Sequence, residues 1–145
     1  MAGETDLNNM LAGISPVLLK ETYVFCTLPD ACYGDFASAK PIASFEEKEG
    51  LSLVVTKQAA EQHELRFEGS YRCISLGVHS SLDAVGLTAT ISRHLTLNGI
   101  SANIIAAHFH DHVFVAASQA DLALSVITSL AASQQQNTQS FDSNV

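Results

Sequence analysis

The spacing of apolar residues changes along the first half of the chain, and each change predicts a different element. Residues 5–14 carry apolar side chains three or four positions apart, which predicts a short helix. Residues 21–28 are rich in β-branched and aromatic residues and predict a strand. Residues 29–40 hold Pro, Asp, Gly and Ser, which predicts a loop with room for one helical turn. Two apolar runs in 42–55 flank the turn EEKEG and predict a hairpin, and a capped helix is expected over 57–65.

The second half repeats this kind of alternation more clearly. Residues 67–79 predict a long strand, although two glycines interrupt it. Residues 80–99 predict the longest helix of this half, because Ser80 and Asp83 form a capping box and Gly99 is a natural stop. Residues 100–108 and 112–117 predict two further strands. A second capping box, Ser118 with Asp121, predicts a helix over 119–133.

This order of elements predicts an α+β fold built from two small modules. From residue 67 onward, strand, helix, strand, strand and helix give most of a ferredoxin-like βαββαβ module, an antiparallel sheet with helices on one face. The first half has the same order with its first helix reduced. We therefore expect a degenerate module over 1–66, a complete module over 67–132, and a polar, disordered tail over 133–145.

Composition limits the classes of function. The chain has 145 residues, of which 47% are hydrophobic, so it can form a core, but no apolar run is long enough for a membrane span. The first residues lack the features of a signal peptide, so a cytoplasmic location is expected. Seven scattered basic residues against fifteen acidic ones argue against nucleic acid as a partner. Cys26 and Cys73 lie in apolar runs and are expected to be buried free thiols.

Three histidines stand close together in the segment HFHDH, at His108, His110 and His112. In an extended strand they would share one face, and a metal site would need at least three converging ligands. Asp111 instead favours a turn, which would direct the imidazoles apart. We expect the tip of a hairpin without a resident metal or other cofactor, with metal binding by these histidines as the alternative.

Motifs of the second module resemble the ACT domain, a small regulatory module that binds amino acids. The ACT pattern D-x-P-G-L matches Asp83, Gly86 and Leu87, although Val85 replaces the proline. The turn Asn98 to Ser101 and the hairpin end at Asp111 and 113–115 match two further ACT motifs. The chain up to about residue 130 is similar to an uncharacterised bacterial family of small tandem ACT proteins, and to half of the animal cytosolic arginine sensors.

The resemblance implies a ligand site at the start of the long helix. The amide groups of a helix N-terminus attract a carboxylate, and Ser80 serves either the ligand or the helix cap. Asp83 has the same two roles open to it, as the partner of an ammonium group or as part of the cap. The implied ligand-binding residues are His79, Ser80, Ser81, Leu82, Asp83, Val85, Gly86, Leu87, Asn103, Ile104, Ile105 and Asp111.

A non-catalytic regulatory protein that binds an amino acid or a similar small molecule is therefore expected, as a homodimer or higher homo-oligomer. The alternative is a structural or protein-interaction module that oligomerises through its sheets, with metal at the histidine hairpin. Catalysis is not expected. His79, Ser80 and Asp83 have the residue types of a hydrolase, but neighbours in sequence rarely form a triad, and no nucleophile elbow or phosphate loop is present.

Overall fold

A computed structural model describes residues 7–77 and 86–142 of the chain. The chain forms two compact units: the first unit is residues 20–72, and the second unit joins residues 1–19 to residues 73–145. The start of the chain therefore packs with the C-terminal half. The predicted boundary between the two sequence modules, at residue 66, is a separate matter and remains a prediction.

The first unit is an antiparallel sheet with one short helix. Strand β1 spans Pro16–Leu28, β2 spans Ala43–Glu47 and β3 spans Gly50–Thr56, in the order β2-β3-β1. Helix α2, Lys57–Gln62, follows β3 directly, and the predicted cap is present because Thr56 Oγ1 accepts a hydrogen bond of 3.1 Å from the amide of Ala59. The β1–β2 connection contains only the 3-10 turn Ala37–Ala39.

The core of the first unit lies on the α2 side of this sheet. Cys26 of β1 and Ser44 of β2 both pair with Leu53 of β3, so these residues share one face. The buried members of the core are Val24, Cys26, Ala39, Leu51, Leu53, Val55, Ala60 and Leu65.

The second unit contains the longer helices. Its elements are α1 (Leu7–Ala12), β4 (Tyr71–Leu76), α3 (Leu87–Leu97), β5 (Ala102–Ala106), β6 (Asp111–Ala116), the 3-10 turn Ala117–Gln119 and α4 (Ala120–Asp142). Its strands follow the order β4-β6-β5, with β5 and β6 antiparallel. Helices α1, α3 and α4 pack with one another over a core that includes Ile74, Ile91, Val113 and Ile127. The expected α+β fold, with antiparallel strands and helices on one face, is confirmed.

Several boundaries differ from the predicted ones. β1 begins five residues before the expected strand, at Pro16, and β4 begins only at Tyr71 because Gly69 has a φ of 69° and leaves the extended conformation. Ser118 lies inside a 3-10 turn rather than at a helix cap. Helix α4 continues to Asp142, so most of the segment 133–145, expected to be a disordered tail, is helical here.

The end of α3 follows the sequence closely. Asn98 is the C-cap, the amide of Gly99 donates to the carbonyl of Thr96 at 2.9 Å, and the amide of Ile100 donates to the carbonyl of Leu95 at 2.9 Å. These two bonds form a Schellman motif, and Ile100 is buried in the same core as Leu95. The predicted stop at Gly99 therefore also directs the chain into β5.

Candidate functional site

Most of the expected ligand loop falls within residues 78–85, outside the described residues. The members of the predicted site that lie there are His79, Ser80, Ser81, Leu82, Asp83 and Val85. The described part of the site consists of the residues on either side of this loop and the strands beside it.

Gly86 and Leu87 form the start of α3. Gly86 occupies the N-cap position with a φ of 97°, a left-handed conformation that favours glycine, and it has no side chain to cap the helix. The N-cap is thus Gly86 rather than the expected Ser80. Leu87 is 4% exposed and packs in the core, so it anchors the helix and turns its side chain away from solvent. What this end offers a ligand is backbone amides and the positive end of the helix dipole.

Three predicted site residues lie on β5. This strand is the last in the order of the second unit, so its outer edge has no strand of the described chain beside it. Asn103 is exposed, Ile104 packs against the core, and Ile105 is partly exposed and pairs with His112 of β6. Asn103 and Ile105 therefore lie on the face opposite the helices, whereas Ile104 supports the core.

The histidine segment is the tip of the β5–β6 hairpin, as expected. Asp111 is the first residue of β6 and pairs with Ala106, while the amide of Ala107 donates to the carbonyl of His110 at 3.0 Å and closes the turn. The ring of His108 meets the ring of Phe109 edge-on at 4.6 Å between centroids. His110 Nδ1 donates to the carbonyl of Leu76 at 3.0 Å.

The His110 hydrogen bond links the hairpin to the end of β4. Leu76 is the last residue of β4 and stands three positions before His79, the first residue of the predicted ligand site. Because a carbonyl oxygen only accepts, the bond requires a proton on Nδ1 of His110. The bond spans 34 positions of sequence, and no local pattern in the sequence signals it.

The three histidines are not grouped as metal ligands. Within residues 7–77 and 86–142, no three histidine, cysteine, aspartate or glutamate side chains come close enough to hold a metal ion. His110 is engaged with a backbone carbonyl and His108 with an aromatic ring. The geometry gives the segment HFHDH a structural role in the hairpin.

Two family models cover most of the chain. One ACT-domain model matches residues 2–72 and a second matches residues 68–129. The protein belongs to the ACT-domain family. ACT domains are regulatory rather than catalytic modules, and this chain carries two of them in tandem, as its motifs indicated. We call them the N-terminal and C-terminal ACT domains.

The chain is similar in structure to other small proteins whose structures have been solved. It is similar to a Vibrio cholerae protein of unknown function, described as a possible transport protein, with 42% identity, coverage of 86% of this chain and 95% of that one, and a TM-score of 0.79. An Agrobacterium tumefaciens protein shares the fold at 17% identity over 81% and 89% of the two chains, with a TM-score of 0.68. No curated protein sequence matches the chain significantly.

A regulatory enzyme subunit also shares the fold. The ligand-free regulatory subunit of aspartate kinase from Thermus thermophilus is 14% identical, with a TM-score of 0.53, and the alignment covers 81% of this chain and 98% of that one. Among the described residues, no helix is both long enough and apolar enough to span a membrane.

Two of the three cysteines are buried and are poor nucleophiles. Cys26 and Cys73 are buried free thiols, which confirms the expectation, and Cys32 is exposed. Burial raises the pKa of Cys73 to about 11 and also raises the pKa of Cys26. Both thiols stay protonated at neutral pH, and a protonated thiol is a poor nucleophile.

Among the residues of the predicted site that the structure describes, Asp111 has a shifted pKa. Burial raises the pKa of its carboxyl above the ordinary value of 3.8, and the charge of neighbouring His112 partly opposes this shift. A group whose folded-state pKa is raised binds protons more readily in the folded state. The free energy of unfolding of the C-terminal ACT domain therefore increases as the pH falls from above the raised pKa of Asp111 towards 3.8.

Replacing Asp111 with Asn should raise the melting temperature at pH 7, because it removes the partly desolvated charge and keeps a residue that suits the turn. The gain should shrink as the pH falls through the raised pKa of Asp111. Thermal unfolding of both proteins between pH 7 and pH 3 measures this difference. The Asp30→Asn replacement, which removes an exposed carboxylate, serves as the control variant. A D111N protein that is less stable than the parent at pH 7 would contradict the prediction.

The sequence does not predict two features of the described structure. One is the His110–Leu76 hydrogen bond. The other is a cleft of about 570 Å³ in the N-terminal ACT domain, beside the connection from β1 to β2. The sequence feature that relates to this cleft is the reduced first helix predicted for that module.

Proposed function

We propose that this tandem ACT protein is a non-catalytic, cytoplasmic regulator that binds an amino acid or a similar small molecule at the loop leading into α3. The observation that carries the proposal is the pair of ACT-domain matches over residues 2–72 and 68–129. The start of α3 at Gly86 supports it, because this helix end offers backbone amides without a capping side chain from Gly86 itself.

The proposed ligand contacts follow from the charges of a free amino acid. The α-carboxylate would bind the amides at the start of α3, with the hydroxyls of Ser80 and Ser81 as additional donors. The ammonium group would pair with the carboxylate of Asp83. His79, Leu82 and Val85 would line the same loop, and Asp111 would border it from the hairpin.

A second copy of the chain would complete the site. The outer edge of β5 carries Asn103, Ile104 and Ile105, and an unpaired strand edge tends to pair with or be covered by another chain. We therefore propose a homodimer or higher homo-oligomer in which β5 lies at or near the interface. The regulatory subunit of aspartate kinase shares this fold and no more, so its ligand does not identify the one proposed here.

The proposal predicts ligand-dependent stabilisation. At about 100 times the dissociation constant, a ligand that binds only the folded state adds about 2.7 kcal/mol to the free energy of unfolding. For a chain of this length that corresponds to an increase of roughly 5–10 °C in melting temperature. Thermal unfolding of the full chain in the presence of each of the twenty amino acids measures this increase. We expect at least one amino acid to raise the melting temperature.

Replacing Asp83 with Asn should remove most of that increase, because the ammonium group loses its charged partner. Asp121→Asn is the matched control: Asp121 is exposed in the first turn of α4, outside the proposed site, and its variant should keep the ligand-dependent increase. If no amino acid raises the melting temperature, or if D83N and D121N respond alike, the proposed site is wrong. Light scattering of the same samples should give a dimer or larger; a dimer that responds to no ligand would favour the structural alternative.

A further inference from the structure

The N-terminal ACT domain has a cleft where its sequence lacks a helix. The connection from β1 to β2 contains one 3-10 turn, Ala37–Ala39, where a complete module would carry a helix. A cleft of about 570 Å³ results, which we call the Lys40 cleft. Its lining consists of Tyr33, Gly34, Phe36, Ala37, Lys40, Pro41, Ile42, Ala43, Ser44, Leu51 and Leu53. Small-molecule sites commonly measure about 300–1,000 Å³.

The Lys40 cleft has apolar walls and one charge. The accessible apolar wall of the cleft is formed by Phe36, Pro41 and Ile42, which are partly exposed. Leu51 and Leu53 also line the cleft but are only 2% and 3% exposed, because they belong to the core of the first unit. Lys40 is exposed and is the one charged side chain in the lining. Tyr33 and Ser44, both exposed, add hydroxyl groups. Such a lining suits a molecule with an apolar body and a single negative charge.

The backbone holds Lys40 in a costly conformation. Lys40 has a φ of 50° and a ψ of 59°, in the left-handed region that residues other than glycine seldom adopt, and a proline follows it. A hydrogen bond of 3.0 Å from the amide of Lys40 to the carbonyl of Ala37 fixes this position, and one of 2.8 Å from the amide of Ile42 to the carbonyl of Val54 fixes the chain just after it. Strain of this kind concentrates at functional sites.

We propose that the Lys40 cleft binds a small monocarboxylic acid, with the carboxylate paired to Lys40 Nζ and the apolar body lying against Phe36, Pro41 and Ile42. This ligand class differs from the amino acid proposed for the C-terminal ACT domain. No acidic side chain is present among the residues lining the cleft, so an ammonium group would find no charged partner there. The cleft is thus a second site with its own specificity.

Hexanoate, hexan-1-ol and hexylamine test the proposal, because they share one apolar chain and differ in charge. Each is titrated into the full chain while backbone amide signals are followed by NMR. Hexanoate should bind with a dissociation constant of about a millimolar, which suits a ligand of its size. It should bind roughly two to five times more tightly than hexanol, since an exposed ion pair contributes at most about 1 kcal/mol. Hexylamine should not saturate the site, and the signals that move should be those of residues 33–44 and 51–53.

Lys40→Met removes the charge and keeps most of the apolar stem, so it should reduce hexanoate binding to the level of hexanol. Lys48→Met is the matched control: Lys48 is exposed in the β2–β3 turn, away from the cleft, and its variant should bind hexanoate as the parent does. Equal hexanoate affinity in K40M and K48M would overturn the proposal.

A blocking variant tests the location independently of the charge. Ser44 pairs with Leu53 and lies on the cleft side of β2, whereas its neighbour Phe45 lies on the other face and is 72% exposed. Ser44→Trp should abolish hexanoate binding and Phe45→Trp should preserve it; the reverse result, or no effect of either, would overturn the proposal. Neither pair of variants touches the α3 loop, so amino-acid stabilisation in K40M separates this proposal from the preceding one.

Discussion

Replacing Leu95 with alanine is expected to lower the free energy of unfolding by about 2–5 kcal/mol, the range for removing a fully buried leucine. Leu95 is 0% exposed and lies in the core between α3, α4 and the sheet of the second unit. The replacement leaves a cavity, because the surrounding core side chains lie on both helices and strands and cannot all move inward. Urea unfolding followed by far-UV circular dichroism measures the loss.

Leu97→Ala provides the matched control for this loss. Leu97 is on the same helix two residues later, yet it is 72% exposed. The same change of side chain there removes little buried surface, and alanine is the better helix former, so the effect should stay within about 0.5 kcal/mol. If both variants unfold at the same urea concentration, the placement of α3 over the core is wrong.

Local sequence signals predicted those parts of the fold that local contacts determine. The cap at Thr56 and the stop at Gly99 each depend on residues within five positions of one another, and both hydrogen-bonding patterns are present. The hairpin at Asp111 followed from the same kind of signal. The buried face of α3 has the same local origin, because Leu87, Ile91 and Leu95 recur every four positions and all three are buried.

Features that depend on distant contacts were not predictable. Nothing near His110 in the sequence indicates that its ring meets the carbonyl of Leu76. The sequence predicts the start of α3 at Ser80, because Ser80 and Asp83 have the pattern of a capping box, but the N-cap of this helix is Gly86. The Lys40 cleft arises only where the β1–β2 connection lies across β3, and residues 33–44 alone do not indicate it. The site predictions for residues 79–85 lie outside the described chain and remain predictions.

Replacing Gly50 with alanine is also expected to lower the free energy of unfolding strongly. Gly50 opens β3 after the charged turn with a φ of 142°, and a Cβ atom built on it would lie 2.6 Å from the carbonyl oxygen of Leu28 and 2.7 Å from Cα of Pro29. Both neighbours are backbone atoms at the end of β1, so no side-chain rotation relieves the clash. Gly50→Ala should cost roughly 2–5 kcal/mol, from the unfavourable φ together with the displacement of β1.

Gly34→Ala separates the two causes of that cost. Gly34 also has a positive φ, of 98°, but a Cβ atom there would meet nothing within 4 Å. Its variant should lose only the conformational part, about 1–2 kcal/mol. The G50A variant should in addition shift the NMR amide signals of β1 and β3, because the register from Leu28–Leu51 to Val24–Val55 depends on the close approach at Gly50. Equal losses in the two variants, with unmoved β1 signals, would mean that β1 and the β2–β3 turn do not meet as closely as described, and the first unit would need a different register.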